Sequence, residues 1–514
     1  MTDLELNGND LSFPELRQVV YARRQVRLGS EAHKKVVSAR EVVEKLLREN
    51  RVAYAINTGV GKLSDVHIEP AQNRQLQVNL IRSHSAGVGE PLSQEETRAM
   101  MLLRANSLAK GFSGVRPEVV ELICAMLNHG VHPVVPSQGS VGASGDLAPL
   151  AHLALAMIGE GEVWAEDGRR RESAEALRQA GIKPLVPEAK EAISLINGTQ
   201  AMLAVGALSL LAAENLADTA DVLGAMSLDA LHGTDVAFDE RIHAARPHAG
   251  QTKVAANLRR LIAGSQIRES HKDCGRVQDA YSLRCIPQVH GAVRDTLEFC
   301  RRTFAIEMNS AVDNPLVFLR SDGEGDIISG GNFHGEPLAF ALDFMAIALS
   351  ALAGISERRI ERLVNPALNE GLPPFLAAEA GINSGFMMPQ VTAAALASEN
   401  KVLAHPASVD SITTSGNKED YVSMGMAAAI KLKKVVANTT HVLAIEACAA
   451  AQALDFLAPL KTSELLQQAH GAVRKVSPTI DKDRVFAVDF ARIAELITSR
   501  DLLRLVYREE ALNH

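Results

Sequence analysis

Ala143-Ser144-Gly145, at the centre of the stretch SQGSVGASGDLAPLAHL (137–153), is where the chain's residue types are hardest to explain as ordinary structure. Glycines at 139, 142 and 145 let the backbone take positive φ and let peptide groups approach closely, at an entropic cost that usually has a use. A phosphate cradle needs G-x-G-x-x-G or a terminal Gly-Lys-Ser/Thr, and neither spacing is present. A nucleophile elbow, G-x-S-x-G, would need glycine where Asp146 stands. What remains besides a plain loop is chemistry of the backbone itself. The Gly145 nitrogen can attack the Ala143 carbonyl and close a five-membered ring with loss of water; loss of the Ser144 hydroxyl then leaves an exposed methylidene. Gly145 has no side chain to obstruct closure, Ala143 is small, and serine carries a β-hydroxyl that can be eliminated. The product is an electrophile, which no unmodified side chain supplies.

Other residues with chemical capacity are scattered along the chain. Tyr54 lies in AYAINTGVGKLSD (53–65), which has no helical period and reads equally as a turn or as part of a site. His84 follows Ser83 just ahead of a glycine-rich turn, and Asn197 sits beside Gly198, a common cap or turn pairing. Gln278, Tyr281 and Arg284 are spaced three apart, which on a helix gives one shared face. Such a stripe is ordinarily solvated; if buried, its arginine needs an anion, and a substrate carboxylate can fill both arms of the guanidinium. Phe333 precedes His334 in the hairpin-like SDGEGDIISGGNFHGEP, and Glu419-Asp420 closes HPASVDSITTSGNKED, where both acids can simply favour the next helix N-terminus. His129 and His132 have no third ligand at suitable spacing, so no metal is expected. Five cysteines without a C-x-x-C pair argue against a disulfide framework or zinc module.

The elements that must hold these residues are helical. Hydrophobic residues make up 47% of the chain but aromatics only 4%, so the core is rich in leucine and alanine, which favours helix over sheet. Leu16 to Asn50 reads as one or two surface helices, Thr97 to Lys110 and Leu150 to Ile158 as helices, and Gly159 to Pro187 as a surface excursion carrying Trp164. A long helical zone follows LINGTQ, and further strong helical patterns cover Glu298 to Asn314, Leu338 to Leu363, Val391 to Leu403 and Tyr421 to Leu457. Three consecutive regions are expected: 1–190 with the triplet, 191–460 as the long-helix bundle, and 461–514 as a helical tail. Ala192 to Ala213 lacks charged side chains, but its Asn-Gly-Thr-Gln interruption leaves too short an apolar run to span about 30 Å of hydrocarbon. The net charge of -8 argues against nucleic-acid or anionic-membrane partners and favours a small molecule. An acidic N-terminus broken by Pro14, with no signal pattern, leads to the expectation of a cytoplasmic protein.

Taken together, AYAINTGVGKL, IRSHSAGVG, GSVGASGDLAPL, LINGTQ, QDAYSLRCIPQVHGA, GGNFHGEP, ENKVLAHPASVDS and NKEDYVSMG resemble, in the family's order and over nearly the whole chain, the aromatic amino-acid ammonia-lyases, and most of all their histidine-acting branch. The resemblance implies a mainly α fold, a long-helix bundle of the ammonia-lyase/fumarase-like type with a smaller loop-rich N-terminal region. It implies a homotetramer with shared active sites, and 4-methylideneimidazole-5-one (MIO) formed autocatalytically from Ala143-Ser144-Gly145. Carried over by motif, Tyr54 is the base for the substrate β-proton, with Tyr281 its rival, and Asn197 and Tyr281 assist the cofactor and hold the substrate. Arg284 grips the carboxylate, Gln278 and Phe333 line the site, and His84 with Glu419 engages the imidazole of L-histidine. The reaction implied is elimination of ammonia to give trans-urocanate.

Gly416, Lys418 and Tyr421 depart from the alanine, glutamine and histidine expected around the acidic pair, which bears on the geometry near Glu419. Alternatives are a tyrosine or phenylalanine ammonia-lyase, an MIO-dependent aminomutase, or a non-catalytic helical scaffold. The fumarase and aspartase-like lyases are disfavoured, because their G-S-S-x-M-P-x-K-x-N signature is missing.

Overall fold

The computed structural model describes residues 2–165, 167–322 and 324–507. It is mainly helical, as the composition predicts, with short strands confined to small two- and three-stranded sheets. Two compact units form, each from three separate stretches: Met1–Leu208, Arg301–Asp343 and Pro406–Ile430 in the first, and Ser209–Cys300, Phe344–His405 and Lys431–His514 in the second. The three consecutive regions expected from sequence do not coincide with them. Helices of about 30 residues run about 45 Å, so the chain leaving one end is carried far from the stretch that preceded it. The helical tail is present through Tyr507, and residues 508–514 of that expected region lie outside the described residues.

In the first unit, helix Gln94–Ala109 forms much of the core. Ser93 and Glu96 start it as a reciprocal capping box, and every residue from Glu96 to Ala109 is buried. A helix enclosed on all sides must satisfy its charged side chains internally. Arg98 does so by donating to the Val19 and Leu127 carbonyls and to His132 Nε2 at 2.7 Å. Helices Phe13–Tyr21, Ser30–Arg48 and Pro117–Asn128 pack against it, while Asn73–His84, Leu147–Met157 and Glu191–Ile196 pack on one another. The region 159–187 lies mostly at the surface, as expected, and is ordered there: strand Glu162–Trp164 pairs with His132–Pro133 on one side and Arg170–Glu172 on the other, and helix Ser173–Gln179 follows. A hairpin forms, but of Leu316–Leu319 against Gly325–Ile328: only its second strand lies within the hairpin-like stretch 321–337, and Phe333 follows it in a turn. Leu16 to Asn50 is two helices, Phe13–Tyr21 and Ser30–Arg48, separated by strand Val26–Leu28, with one face of each buried.

The second unit is built on parts of the long helices Gln200–Ala230, Ile286–Met308, Glu336–Val364 and Gly425–Phe456. Ala353, Ile360, Ala393, Val442 and Ile445 form an aliphatic cluster there. Beside them a fully buried polar knot crosses the helices. Glu446 accepts from Nε and Nη2 of Arg359 and from Ser227 and Ser356, and His290 bonds Asp221 at 2.9 Å. Gln200–Ala230 and Glu336–Val364 are long and apolar enough to cross a membrane, but 78% and 61% of their most apolar windows are buried inside the protein, as in core helices.

Candidate active site

The triplet lies in the irregular chain between strand Pro136–Gln138 and helix Leu147–Met157. Two glycines fix it in place. Gly145, at φ +70°, forms a parallel bridge with Gly198, and the Asp146 N–H donates to the Gly198 carbonyl at 2.7 Å. A Cβ on Gly145 would stand 2.1 Å from that carbonyl oxygen, so only glycine fits. Asp146 is wholly buried beside the first turn of Gln200–Ala230: Oδ2 accepts from the Met202 N–H at 2.8 Å and Oδ1 from Ser140 Oγ at 2.9 Å. Burial raises its carboxyl to about 6, with these bonds and the Arg104 charge acting the other way.

On the other side of the Asn197–Thr199 turn stands Arg104, also wholly buried. Its Nη1 donates to the Ser194 carbonyl and its Nη2 to the Asn197 carbonyl, each at 2.7 Å, and Nη2 also bonds Gln200 Oε1. It thus satisfies the open carbonyls at the end of helix Glu191–Ile196, while Asp146 satisfies amides at the start of Gln200–Ala230. Asn197 is buried and its side-chain Oδ1 has no hydrogen-bond partner among the described residues. Such an orphan calls for a donor.

Ser144 Oγ donates to Glu419 Oε1 at 2.7 Å, and Thr414 Oγ1 donates to Glu419 Oε2 at 2.6 Å. Thr414 and Glu419 also pair as an antiparallel bridge. Burial pushes the Glu419 carboxyl up, but the bonds from Thr414, Ser144 and Ser415 and the nearby His84 outweigh it and hold the pKa below the usual value. Glu419 is therefore an ionised acceptor at neutral pH. His84 ends helix Asn73–His84, and its Nδ1 lies 2.9 Å from the Leu80 carbonyl. A proton on Nδ1 satisfies that carbonyl and leaves Nε2 as an acceptor. Burial lowers the imidazole pKa, against the opposing pull of the Leu80 carbonyl and Glu419, so the ring is neutral at pH 7.

Tyr54 is partly buried, and its hydroxyl accepts from the Gly61 N–H at 3.2 Å. Its loop meets the Glu419 loop where Lys62 approaches Gly416, a left-handed glycine at φ +60°. The Phe333 loop is tied to the triplet by the Gly335 N–H donating to the Gly142 carbonyl at 3.4 Å, and His334 bonds the Tyr421 carbonyl at 3.2 Å. The segment opening Gly425–Phe456 is tied to it as well, through Met424 N–H to Val141 O at 2.8 Å and Ser423 Oγ to Gly142 O at 3.1 Å. Tyr54, His84, Ala143, Ser144, Gly145, Asn197, Phe333 and Glu419 thus all belong to the first unit.

Gln278, Tyr281 and Arg284 belong to the second. Their shared helical face is corrected: the helix is only Tyr281–Arg284, entered through an extended Ala280, and Gln278 lies in the exposed coil before it. The Arg284 guanidinium sits 4.6 Å from the Tyr281 ring centroid, and its Nε has no hydrogen-bond partner among the described residues.

Sequence reasoning singled out neither Arg104 nor Thr414, and left Asp146 without a role. The acid adjoining Gly145 was a signal for Asp146, and Thr414 carried none. His132 Nε2, one of the two histidines weighed for a metal, is occupied by Arg98.

Residues 11–475 match the family model described as Aromatic amino acid lyase. A histidine ammonia-lyase of Koribacter versatilis (strain Ellin345) is 70% identical over 511 residues, covering 98% of this chain and 99% of that protein. The crystal structure of histidine ammonia-lyase from Trypanosoma cruzi superposes with a TM-score of 0.91 at 44% identity, covering 98% of this chain and 95% of the other. Tyrosine aminomutase from Streptomyces globisporus superposes with a TM-score of 0.93 at 39% identity, covering 99% of each chain.

Proposed function

Because the chain belongs to the aromatic amino acid lyase family and is a carbon–nitrogen lyase of the ammonia-lyase type, we propose that it eliminates ammonia from L-histidine to give trans-urocanate, the opening step of histidine degradation. The observation that carries the choice of histidine is the ionised Glu419, placed against the triplet at Ser144 and beside His84. Its place in the reading follows from the processing chemistry. Gly145 N bonds to the Ala143 carbonyl carbon, and the carbonyl oxygen leaves as water with the protons of Gly145 N and Ser144 N. The Ser144 hydroxyl leaves as a second water with the Cα proton, so no oxidant is needed. Loss of that hydroxyl removes the donor to Glu419 Oε1, which is then open to accept an imidazole N–H. Phenylalanine would leave this carboxylate oxygen unpaired and desolvated, at about 1–3 kcal/mol.

The residues present fit MIO: glycine alone is tolerated at 145, and the orphan Oδ1 of buried Asn197 adjoins the Gly198 that pairs with Gly145. The group supplies an electrophilic methylidene that makes the substrate nitrogen a better leaving group. The chain's own residues do the rest. Arg284 holds the carboxylate in its fork. Tyr54 takes the β-proton, its oxygen held in place by the Gly61 N–H. Tyr281 remains its rival and, with Asn197, steadies the substrate, while Gln278 and Phe333 line the site. His84, neutral and with Nε2 as acceptor, turns to the imidazole end. The same reading makes the protein a cytoplasmic homotetramer whose sites combine residues of different subunits, acting on a small molecule without nucleic-acid or membrane partners.

The test is the ultraviolet trace of purified protein with L-histidine, L-tyrosine and L-phenylalanine in parallel, with ammonia assayed. Urocanate and ammonia from L-histidine alone are expected. Cinnamate or coumarate would overturn the substrate, and β-amino acid without net ammonia would point to the aminomutase reading that the Streptomyces globisporus similarity favours.

A further inference from the structure

We propose that Arg104 is a positioning residue for cyclisation of the triplet. The inference rests on the reading that Ala143-Ser144-Gly145 becomes the prosthetic group, and it assigns a task to a side chain that touches none of those three residues. Ring closure depends on where the Gly145 peptide stands relative to the Ala143 carbonyl. That peptide is located by its bridge to Gly198 and by the Asp146 N–H bond to the Gly198 carbonyl. Gly198, in turn, is the middle of a turn between two helices, held by Asp146 at its own carbonyl and by Arg104 at the Asn197 carbonyl.

Asp146 grips one side at the first turn of Gln200–Ala230. Arg104 grips the other with two equal bonds of 2.7 Å to the carbonyls of Ser194 and Asn197 and a third to Gln200. The fit around it is tight: a Cβ on Gly198 would stand 2.1 Å from Nη2. Only a planar fork reaches two main-chain carbonyls and a side-chain amide at once, whereas an ammonium is a single point with a less constrained direction. Burial lowers Arg104 to about 10, with Asp313 and Asp146 opposing, so the fork stays charged at neutral pH and its bonds stay charge-assisted. Arg104 therefore sets the Asn197–Gly198 peptide, Gly198 sets Gly145, and Gly145 presents its nitrogen to Ala143. Misplacement of reacting atoms by about 1 Å costs about a hundredfold in rate, which is the scale expected when the fork is removed.

The experiment compares wild type with Arg104→Lys and Arg104→Met, each as the full chain. The soluble, folded fraction is isolated by gel filtration, its helicity and melting temperature are recorded, and the triplet peptide is weighed by mass spectrometry. The quantity read is the fraction of folded chain lacking the mass of two waters. Wild type is expected fully processed, Arg104→Met largely unprocessed, and Arg104→Lys in between, with folded and unprocessed chain accumulating during refolding. Complete processing of the folded fraction in both variants, with only the melting temperature lowered, would show a merely structural role and overturn the proposal. If Arg104→Met yields no folded protein, Arg104→Lys decides alone: processing at the wild-type rate overturns the proposal, and slowed processing supports it. Absence of the two-water loss from wild type itself overturns the cofactor reading rather than the role of Arg104.

Discussion

Replacing Glu419 with glutamine keeps the shape of the side chain and removes only its charge, so the effect on L-histidine measures what the carboxylate contributes. In the unprocessed chain both oxygens accept hydroxyl donors, at 2.7 Å from Ser144 and 2.6 Å from Thr414. On the proposed reading, processing removes the Ser144 hydroxyl and leaves Oε1 for the substrate N–H. A hydrogen bond to a charged group is worth about 1.5–3 kcal/mol and a neutral one about 0.5–1.5, so Glu419→Gln forfeits about 1–1.5 kcal/mol. That is about a tenfold fall in kcat/KM. Glu419→Leu loses the whole bond and leaves the imidazole N–H desolvated without a partner, about 3–4 kcal/mol together, or on the order of 10²- to 10³-fold. The assay is urocanate absorbance under initial-rate conditions, run only on enzyme whose triplet peptide has lost two waters, because Ser144 touches the mutated side chain. L-Phenylalanine, which has no ring N–H, serves as the contrast: its kcat/KM is expected to hold or rise in Glu419→Leu. A Glu419→Leu enzyme within threefold of wild type on L-histidine refutes the assignment of this carboxylate to the imidazole.

Three further outcomes are expected. Ser144→Ala leaves a folded protein with no ammonia release, and turnover like wild type in that variant would sink the methylidene chemistry. Glu446→Ala strands the fully buried Arg359, at a cost of about 3–5 kcal/mol read from urea midpoints at fixed protein concentration; an unchanged midpoint would mean the knot contributes nothing. His132, lowered to about 3 by burial and by Arg98 and Arg23, stays neutral in the fold while the unfolded chain protonates near 6.5. Its contribution is therefore complete above about pH 6.5 and is lost as the pH falls towards 3, at about 1.4 kcal/mol per pH unit. His132→Gln, which still accepts from Arg98, removes that slope, and parallel stability curves for the two proteins between pH 6.5 and 4.5 would contradict it.

What was legible in the sequence was what local rules decide. The Gly145 requirement is a property of one φ angle and one close approach, and the long helices announce themselves through unbroken Ala and Leu patterns. Gln278 shows the limit of such rules. A spacing of three defines a face only where the backbone is helical, and the chain is extended at Ala280. Arg104 shows a different limit. In MMLLRANSL a single cation reads as the solvent side of an amphipathic helix, yet its partners are main-chain carbonyls 90 and 93 residues away, which carry no side-chain signature. Arg359 and Glu446, 87 residues apart, pair across the second unit for reasons equally invisible to a window of sequence. Interleaving of three stretches in each unit likewise depends on where long helices end in space.

The bond between Ser144 and Glu419 joins positions 275 residues apart, and the triplet segment also leans on Ser423 and Met424. A ribosome must therefore release more than four-fifths of the chain before the surroundings of the triplet are complete. If cyclisation into the proposed prosthetic group requires those surroundings, the nascent polypeptide carries an ordinary serine until then. A methylidene formed early would meet cellular thiols and amines, and the neighbouring chains of a polysome, with no pocket to restrict them. On that reading, support from such distant residues would make maturation a proofreading step, in which a truncated or misfolded copy stays chemically inert.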